Sequence, residues 1–340
     1  THRPCGRVCH GPQRHRPAGR FFLAGRLPRC RHNARMDAPA WTRLTATPDA
    51  LGESPFWHPQ EQRLYWVDIP GRRVARLAVE GLQAVGPVEN WPLDEEPGCI
   101  APAEEGGLVL ALRSGLYRAR TWGGPLERLH AAPYDTARLR FNDGRCDAQG
   151  RLWVGSLYEP KDQALGVLYM RDAQGLHPMA GGVTTANGLA WSPDGRTLYW
   201  ADTAAHRVRA YDFDAATGTL SRERVFHQMA PKPAGWVWGD ARPYGGRPDG
   251  AAVDAEGGYW SAQYEGQRLL RLSPQGALWL DLPTPVPCPT MPCFGGADLK
   301  TLFITSARPA LGAQAPAPEA GCVFALRVAV PGLPVQAWRP

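Results

Sequence analysis

The run Leu64-Tyr65-Trp66-Val67 is the first of six short apolar runs that decide the fold. The other five are Leu108-Val109-Leu110-Ala111, Leu152-Trp153-Val154, Leu198-Tyr199-Trp200-Ala201, Tyr259-Trp260-Ser261 and Leu302-Phe303-Ile304-Thr305. Successive runs begin 44, 44, 46, 61 and 43 residues apart. We interpret residues 228–246, rich in Pro, Gly and Trp, as a loop insertion that lengthens the fourth interval. Without the insertion, the chain repeats with a period in the forties, which is typical of propeller blades.

A polar turn precedes each run and another apolar strand follows it, as Arg73-Val74-Ala75-Arg76-Leu77 follows the first. Strands without intervening helices predict an all-β fold, and six repeats predict a six-bladed β-propeller of four-stranded antiparallel blades. The 38 Gly and 34 Pro fit a chain of many turns. We expect the segment Trp41–Ala46 to supply the strand that closes the ring with the C-terminal repeat.

The charge of the chain divides it into two parts. Residues 1–35 hold nine Arg and no acidic residue, so the whole-chain charge of +6 leaves −3 for residues 36–340. We interpret residues 1–35 as a basic, disordered or non-native extension, and residues 36–340 as the propeller domain. The charge of the propeller domain gives no reason to expect a nucleic-acid partner.

The apolar and cysteine patterns indicate which partners and which cell compartment to expect. No run of 18 apolar residues occurs, so we expect no membrane partner. Five Cys follow Met36, an odd number with irregular spacing: Cys99, Cys146, Cys288, Cys293 and Cys322. This pattern favours reduced thiols in a cytoplasmic protein. We expect a monomer or a weak homo-oligomer.

Polar residues recur at one position of the repeat. Counting back ten or eleven residues from the start of each run reaches Glu53, Gly98, Asn142, Asn187, Asp249 and Pro292. Taken singly, Asn187-Gly188 and Asp249-Gly250 are ordinary turn dipeptides and Glu53 is a surface acid. Taken together, these positions begin the innermost strand of each blade, and the polar ones should meet at one end of the channel. A buried cluster of two acids and two amides is costly unless a hard cation satisfies it.

Five segments carry a family resemblance: Leu51-Gly52-Glu53-Ser54-Pro55, Arg140-Phe141-Asn142-Asp143-Gly144-Arg145-Cys146-Asp147, Ala186-Asn187-Gly188-Leu189-Ala190-Trp191-Ser192, Arg247-Pro248-Asp249-Gly250 and Cys293-Phe294-Gly295-Gly296. Together they resemble the regucalcin/gluconolactonase family of metal-dependent lactonases. The resemblance implies that Glu53, Asn187 and Asp249 bind one divalent metal ion: Ca²⁺, Zn²⁺, Mn²⁺, Mg²⁺ or Fe²⁺. It also implies that Arg140 and Asn142 contact the substrate.

Other positions match the family pattern less closely. Glu159 lies where some relatives place a substrate-contacting Glu, and we expect it to bind substrate. Asp202 matches a recurrent family Asp that we expect to support the metal ligands from behind. The insertion precedes Asp249 and carries three aromatic residues: Trp236, Trp238 and Tyr244. These rings either cover a sugar face or attach the loop to the body.

The expected reaction is hydrolysis of a sugar aldonolactone, such as glucono-, xylono- or arabinonolactone, to the aldonic acid. A metal can polarise the ester carbonyl and acidify water, and Asp249 is the best candidate for the base. Two alternatives remain: another metal-dependent esterase or phosphotriesterase on the same propeller, or a non-catalytic calcium-binding protein. The absence of G-x-S-x-G and H-E-x-x-H motifs argues against a serine nucleophile and a zincin site.

Overall fold

A computed structural model describes residues 40–309 and 316–340, and in them the chain forms only strands, turns and loops. The strands are β1 (Thr42–Arg43), β2 (Gly52–His58), β3 (Arg63–Asp68), β4 (Arg73–Glu80), β5 (Gln83–Pro92), β6 (Pro97–Pro102), β7 (Leu108–Leu112), β8 (Gly115–Ala119), β9 (Leu126–Ala131), β10 (Leu139–Cys146), β11 (Leu152–Tyr158), β12 (Gly166–Asp172), β13 (Gly175–Val183), β14 (Ala186–Trp191), β15 (Thr197–Asp202), β16 (Arg207–Asp214), β17 (Thr219–Gln228), β18 (Arg247–Val253), β19 (Tyr259–Tyr264), β20 (Arg268–Leu272), β21 (Leu278–Pro283), β22 (Pro289–Gly295), β23 (Thr301–Ser306) and β24 (Phe324–Arg327). The predicted extension, residues 1–35, lies outside the described residues.

The strands form six four-stranded antiparallel sheets, which are the six predicted blades. Blades one to five take consecutive strands: β2–β5, β6–β9, β10–β13, β14–β17 and β18–β21. Blade six has the order β1-β24-β23-β22, so a strand from the start of the described chain completes the last blade. Thr42 lies opposite Ala325 and Arg43 opposite Phe324. The prediction of a six-bladed β-propeller closed by the segment around Trp41–Ala46 is therefore confirmed.

Buried tryptophans anchor alternate blades through a repeated polar contact. In blades one, three and five, an indole N–H donates to a buried carboxylate: Trp66 to Asp49 at 2.8 Å, Trp153 to Asp147 at 2.8 Å and Trp260 to Asp254 at 2.7 Å. The same carboxylates pair with Arg73, Arg151 and Arg271. A buried indole needs such an acceptor, because an unpaired N–H in a core loses its bond to water.

The first strand of each blade is the innermost one, and β2, β6, β10, β14, β18 and β22 neighbour one another around the axis. Each of these strands has a register shift against its partner, as between Glu53 and Phe56 in β2 and between Asn187 and Ala190 in β14. A bulge adds one residue, bends the strand and redirects its side chains. We call the end of the channel where these strands begin the mouth, and the opposite end the far end.

The C-terminal tail, residues 329–340, crosses the far end. Leu333 N donates to Val253 O of blade five at 3.2 Å, and Trp338 N donates to Pro102 O of blade two at 2.8 Å. The tail helps to enclose a cavity of about 340 Å³ lined largely by apolar residues such as Phe56, Met291 and Phe294. These contacts tie blades on different sides of the ring together.

Two further expectations concern the described residues. Cys99, Cys146, Cys288, Cys293 and Cys322 are all buried, and none of them forms a disulfide. Within the described ranges there is no helix with the length and hydropathy of a membrane span.

Candidate active site

Four predicted polar residues meet at the mouth. Glu53 of β2, Asn142 of β10, Asn187 of β14 and Asp249 of β18 line one cavity of about 170 Å³, together with Arg140. All but Arg140 are at least nine-tenths buried. The predicted convergence of the strand starts is therefore confirmed, whereas the role of each residue stays a prediction.

The count along the repeat misplaced the sixth blade. Pro292 pairs with Ile304, two residues after Leu302, whereas Glu53 pairs with Val67, three residues after Leu64. The blade-six equivalent of Glu53 is thus Thr290, which follows Pro289 opposite Ser306. The expectation at Pro292 is wrong because Thr290 lies twelve residues before Leu302, two more than the ten that the count assumed.

The glycine after Asn187 is needed inside a strand rather than in a turn. Gly188 has a φ of 58°, in the left-handed region that favours glycine. A Cβ at this position would lie 2.4 Å from the Tyr259 hydroxyl and 3.1 Å from Asp249 O. The Asn-Gly dipeptide therefore lets the bulge of β14 approach β18, which brings Asn187 and Asp249 to the same wall.

A chain of hydrogen bonds sets the orientation of the two amides. Thr203 Oγ1 donates to Pro248 O at 2.7 Å, so it accepts from Asn187 Nδ2 at 2.8 Å. Asn142 Nδ2 donates to Ala186 O at 2.8 Å and to Asn187 Oδ1 at 2.9 Å. Since main-chain carbonyls only accept, both amides have one favourable orientation. Asn187 consequently presents its oxygen, with a second lone pair available, on the cavity side.

Three carboxylates are buried close together at the mouth. Burial, and then the charges of Asp249 and Asp143, raise the pKa of Glu53. Burial, and then the charge of Asp143, raise the pKa of Asp249 to about 7. Asp143 Oδ2 accepts from Leu189 N at 2.9 Å, whereas its Oδ1 is buried without a partner in the described structure. The protein by itself therefore leaves negative charge at the mouth poorly compensated.

The donor set fits a hard divalent cation. Glu53 and Asp249 supply carboxylate oxygens and Asn187 an amide oxygen, which are ligand types that Ca²⁺, Mg²⁺ and Mn²⁺ prefer. Among residues 40–309 and 316–340, no group of three His, Cys, Asp or Glu side chains could hold a metal, and the Asn187 amide oxygen adds a donor of another type.

Arg140 is held beside this donor set. Its Nη1 donates to Asn142 Oδ1 at 2.7 Å and to Phe141 O at 3.0 Å. Glu159 is not part of the cavity wall: its carboxylate accepts from Arg113 at 2.8 and 2.9 Å and lies 3.8 Å from Arg140 Nε. Substrate binding by Glu159 stays a prediction, and its observed contacts position Arg140 instead.

Asp202 supports the backbone behind the site. It accepts from Thr184 N, Thr185 N and Ala204 N, and it is not part of the cavity wall. Asp68 occupies the matching place in blade one and accepts from Ala50 N, Leu51 N and Gly71 N. The recurrent Asp is therefore a loop-bracing residue of the repeat.

The insertion packs onto itself and onto the body. Trp236 lies edge-on to Tyr244 at 4.9 Å, and the Tyr244 hydroxyl contacts His206 Nε2 at 2.8 Å. Trp236, Trp238 and Tyr244 are absent from the cavity wall. Of the two roles considered for these rings, the described contacts are those of loop attachment.

Sequence reasoning missed three residues of the wall: Lys161, Thr203 and Arg247. Thr203 directly follows the recurrent Asp202, and Arg247 begins the Arg-Pro-Asp-Gly segment, so both were adjacent to recognised positions. Lys161 lies in the loop after β11 and has no comparable signal.

A six-bladed propeller with acidic and amide oxygens gathered at one mouth defines the class of this protein. The chain belongs to the SMP-30/Gluconolactonase/LRE-like family, whose model matches residues 51–308. It is 45% identical over 290 residues to a 6-deoxy-6-sulfogluconolactonase from Pseudomonas putida, covering 84% of this chain and 94% of that one. It is 33% identical to regucalcin from Danio rerio over 291 residues, with 84% and 93% covered.

A solved structure agrees with this assignment. The calcium-binding protein regucalcin from Agrobacterium tumefaciens superimposes with a TM-score of 0.79 at 27% identity, covering 89% of this chain and 98% of that chain. The similarity extends over most of both chains, so it includes the ring of blades and not one motif.

Proposed function

We propose that this protein hydrolyses a sugar aldonolactone to the aldonic acid, using one divalent metal ion held by Glu53, Asn187 and Asp249. The observation that carries the proposal is the convergence of these three oxygen donors with Arg140 on one cavity. The name of the 45% identical relative, a sulfogluconolactonase, supports the same reaction class.

Arg140 and Asn142 are suited to hold the lactone. Nη1 of Arg140 is committed to Asn142 and to the main chain, which leaves the other guanidinium N–H groups for ring or hydroxyl oxygens. Both Nδ2 hydrogens of Asn142 are used by Ala186 and Asn187, so Asn142 offers substrate only an oxygen lone pair. The Asn142 amide oxygen can therefore accept from a sugar hydroxyl. The same oxygen accepts from Arg140 Nη1 and so holds that guanidinium in position.

Asp249 is the residue placed to take the proton of the attacking water. No described side chain donates a hydrogen bond to its carboxylate, so a carboxylate oxygen stays available at the cavity wall. A divalent cation held by Glu53, Asn187 and Asp249 would supply Lewis acidity toward the ester carbonyl and the water. Burial excludes bulk water from this carboxylate, which strengthens its interactions with charge in the cavity.

The test is a panel of substrates assayed with and without a chelator. We expect purified protein to open glucono-, xylono- or arabinonolactone well above the spontaneous rate, and a chelator to lower that rate at least roughly 10²-fold. Adding back a divalent ion should restore the rate. Arg140→Lys keeps the charge and loses the planar fork, so lactone kcat/KM should fall about 10-fold without a change in metal affinity.

The same panel separates the alternatives. Activity on aryl esters or phosphotriesters with none on lactones would replace lactone hydrolysis by the esterase alternative. Metal binding by calorimetry without turnover of any panel member would favour a calcium-binding protein. Lactone turnover that survives complete removal of metal would refute the metal-dependent part of the proposal.

A further inference from the structure

Two cations on the mouth wall lack hydrogen-bond partners. Lys161 and Arg247 both line the cavity, and neither side chain donates a hydrogen bond to any residue in the described ranges. Lys161 also has no carboxylate within 4.0 Å among these residues. The buried Nε of Arg247 has no partner either. Donors left unpaired at a cavity are costly unless a ligand accepts from them.

Arg247 shares its acidic neighbour with a second cation. Arg247 Nη2 lies 3.3 Å from Glu265 Oε2, whereas Lys232 Nζ lies 2.8 and 3.0 Å from the two oxygens of the same carboxylate. Lys232 comes from the insertion, where it packs over Trp236 at 5.2 Å. Two positive charges therefore share one negative charge, and one positive charge remains in excess.

Lys161, in the cavity wall, has an uncommon backbone conformation. Its φ is 61°, in the left-handed region that non-glycine residues rarely adopt, and its N–H donates to Tyr158 O at 3.2 Å. Partial burial, and then the charges of Arg247 and Arg140, lower the pKa of Lys161, whereas the charges of Asp249 and Glu159 raise it. Arg140 Nε lies 3.8 Å from Glu159 Oε1, whereas no carboxylate of the described residues lies within 4.0 Å of the Lys161 ammonium.

Charge at the mouth then depends on the metal. In the proposed function a divalent ion balances the carboxylates of Glu53 and Asp249. With those two charges balanced, the mouth has a net positive charge. This charge comes from Lys161 and from the cluster of Arg247, Lys232 and Glu265. A cavity wall with excess positive charge and unpaired donors binds an anionic group with several acceptor oxygens in preference to a neutral one.

We propose that Lys161 and Arg247 bind an anionic substituent of the sugar lactone, a sulfonate or a phosphate carried away from the ring ester. The proposal rests on the proposed function and gives its substrate class. The name of the Pseudomonas putida relative, which specifies a 6-sulfo substituent, agrees with it.

The experiment compares three lactones: glucono-1,5-lactone, 6-phosphogluconolactone and 6-deoxy-6-sulfogluconolactone, each corrected for spontaneous opening. For the metal-loaded wild type we expect kcat/KM for at least one anionic lactone to exceed that for the neutral one about 10-fold or more. Lys161→Gln should lower this ratio about 10-fold, and Lys161→Arg should restore most of it. Raising the ionic strength should lower turnover of the anionic substrate and spare the neutral one.

Lys300→Gln is the matched control. It removes the charge of a lysine in the turn between β22 and β23, outside the cavity wall, so the ratio should change less than about 3-fold. The two anionic arms distinguish sulfonate from phosphate as the recognised group. A wild type that prefers the neutral lactone, or a ratio unchanged in Lys161→Gln, would overturn the inference and leave lactone hydrolysis intact. Absence of turnover on all three lactones and on xylono- and arabinonolactone would instead overturn the proposed function.

Discussion

The two ends of the channel differ in size, chemistry and covering. The far end has the larger cavity, about 340 Å³, but its wall is mostly apolar and the C-terminal tail lies across it. The mouth has only about 170 Å³, yet it gathers two carboxylates, two amides and three cations. Both ends are built from the same innermost strands. Cavity volume therefore does not locate the chemistry here, whereas the polar residues at the strand starts do.

The largest expected effect is at the mouth. Asp249→Asn is nearly isosteric, so the fold should survive, but it removes the carboxylate proposed as base and as metal ligand. We expect a loss of roughly 10²- to 10⁴-fold in kcat, measured after subtraction of spontaneous lactone opening. Binding of the metal, measured by calorimetry, should weaken as well.

Asp254→Asn is the matched control from the same blade. Asp254 is fully buried and accepts from Trp260 Nε1 and Arg271 Nε, both at 2.7 Å. Removing its charge should lower the free energy of unfolding by roughly 3 kcal/mol and leave kcat of the folded enzyme within about 2-fold. A folded, metal-loaded Asp249→Asn protein with near-normal turnover would show that another group is the base, with Asp143 the next residue to test.

The second effect is on stability and belongs to the far end. Trp338 is only 6% exposed and packs among the cores of blades two and three. Trp338→Ala should lower the free energy of unfolding by about 3 kcal/mol, measured by urea denaturation, because it empties a large buried volume. Trp279→Ala serves as control: Trp279 is 47% exposed, so its loss should cost less than about 1 kcal/mol. Similar losses for the two variants would show that the tail does not brace the ring.

The smallest expected effect is on the orientation of the amides. Thr203→Val keeps the shape of the side chain but removes the bonds to Asn187 Nδ2 and Pro248 O, so the Asn187 amide is free to turn. We expect kcat/KM to fall several-fold, by about 1 kcal/mol of transition-state stabilisation. Thr284→Val removes a comparable buried bond, to Val286 O at 3.0 Å, outside the cavity wall and should leave kcat/KM unchanged. If both variants behave alike, the amide chain does not orient the site.

Much of the fold was predictable because each blade repeats the same local pattern. Runs such as Leu64–Val67 recur with one period, and a period of that length without helices has few architectural solutions. The convergence of Glu53, Asn187 and Asp249 was predictable for the same reason, since equivalent positions of a ring face one axis. The count was wrong at Pro292, because it allowed ten or eleven residues before each run and blade six has twelve.

The sequence by itself determined the six blades, the closing strand and the polar residues of the mouth, because these follow from periodicity and from residue type. Only the tertiary structure decided which partners each side chain has. It placed Glu159 on Arg113, made Thr203 the orienting group of Asn187, and brought Lys161 to the rim beside Arg247. The reason is physical: these contacts join residues that are distant in sequence, and their geometry depends on bulges and loops whose local shape the repeat pattern does not give.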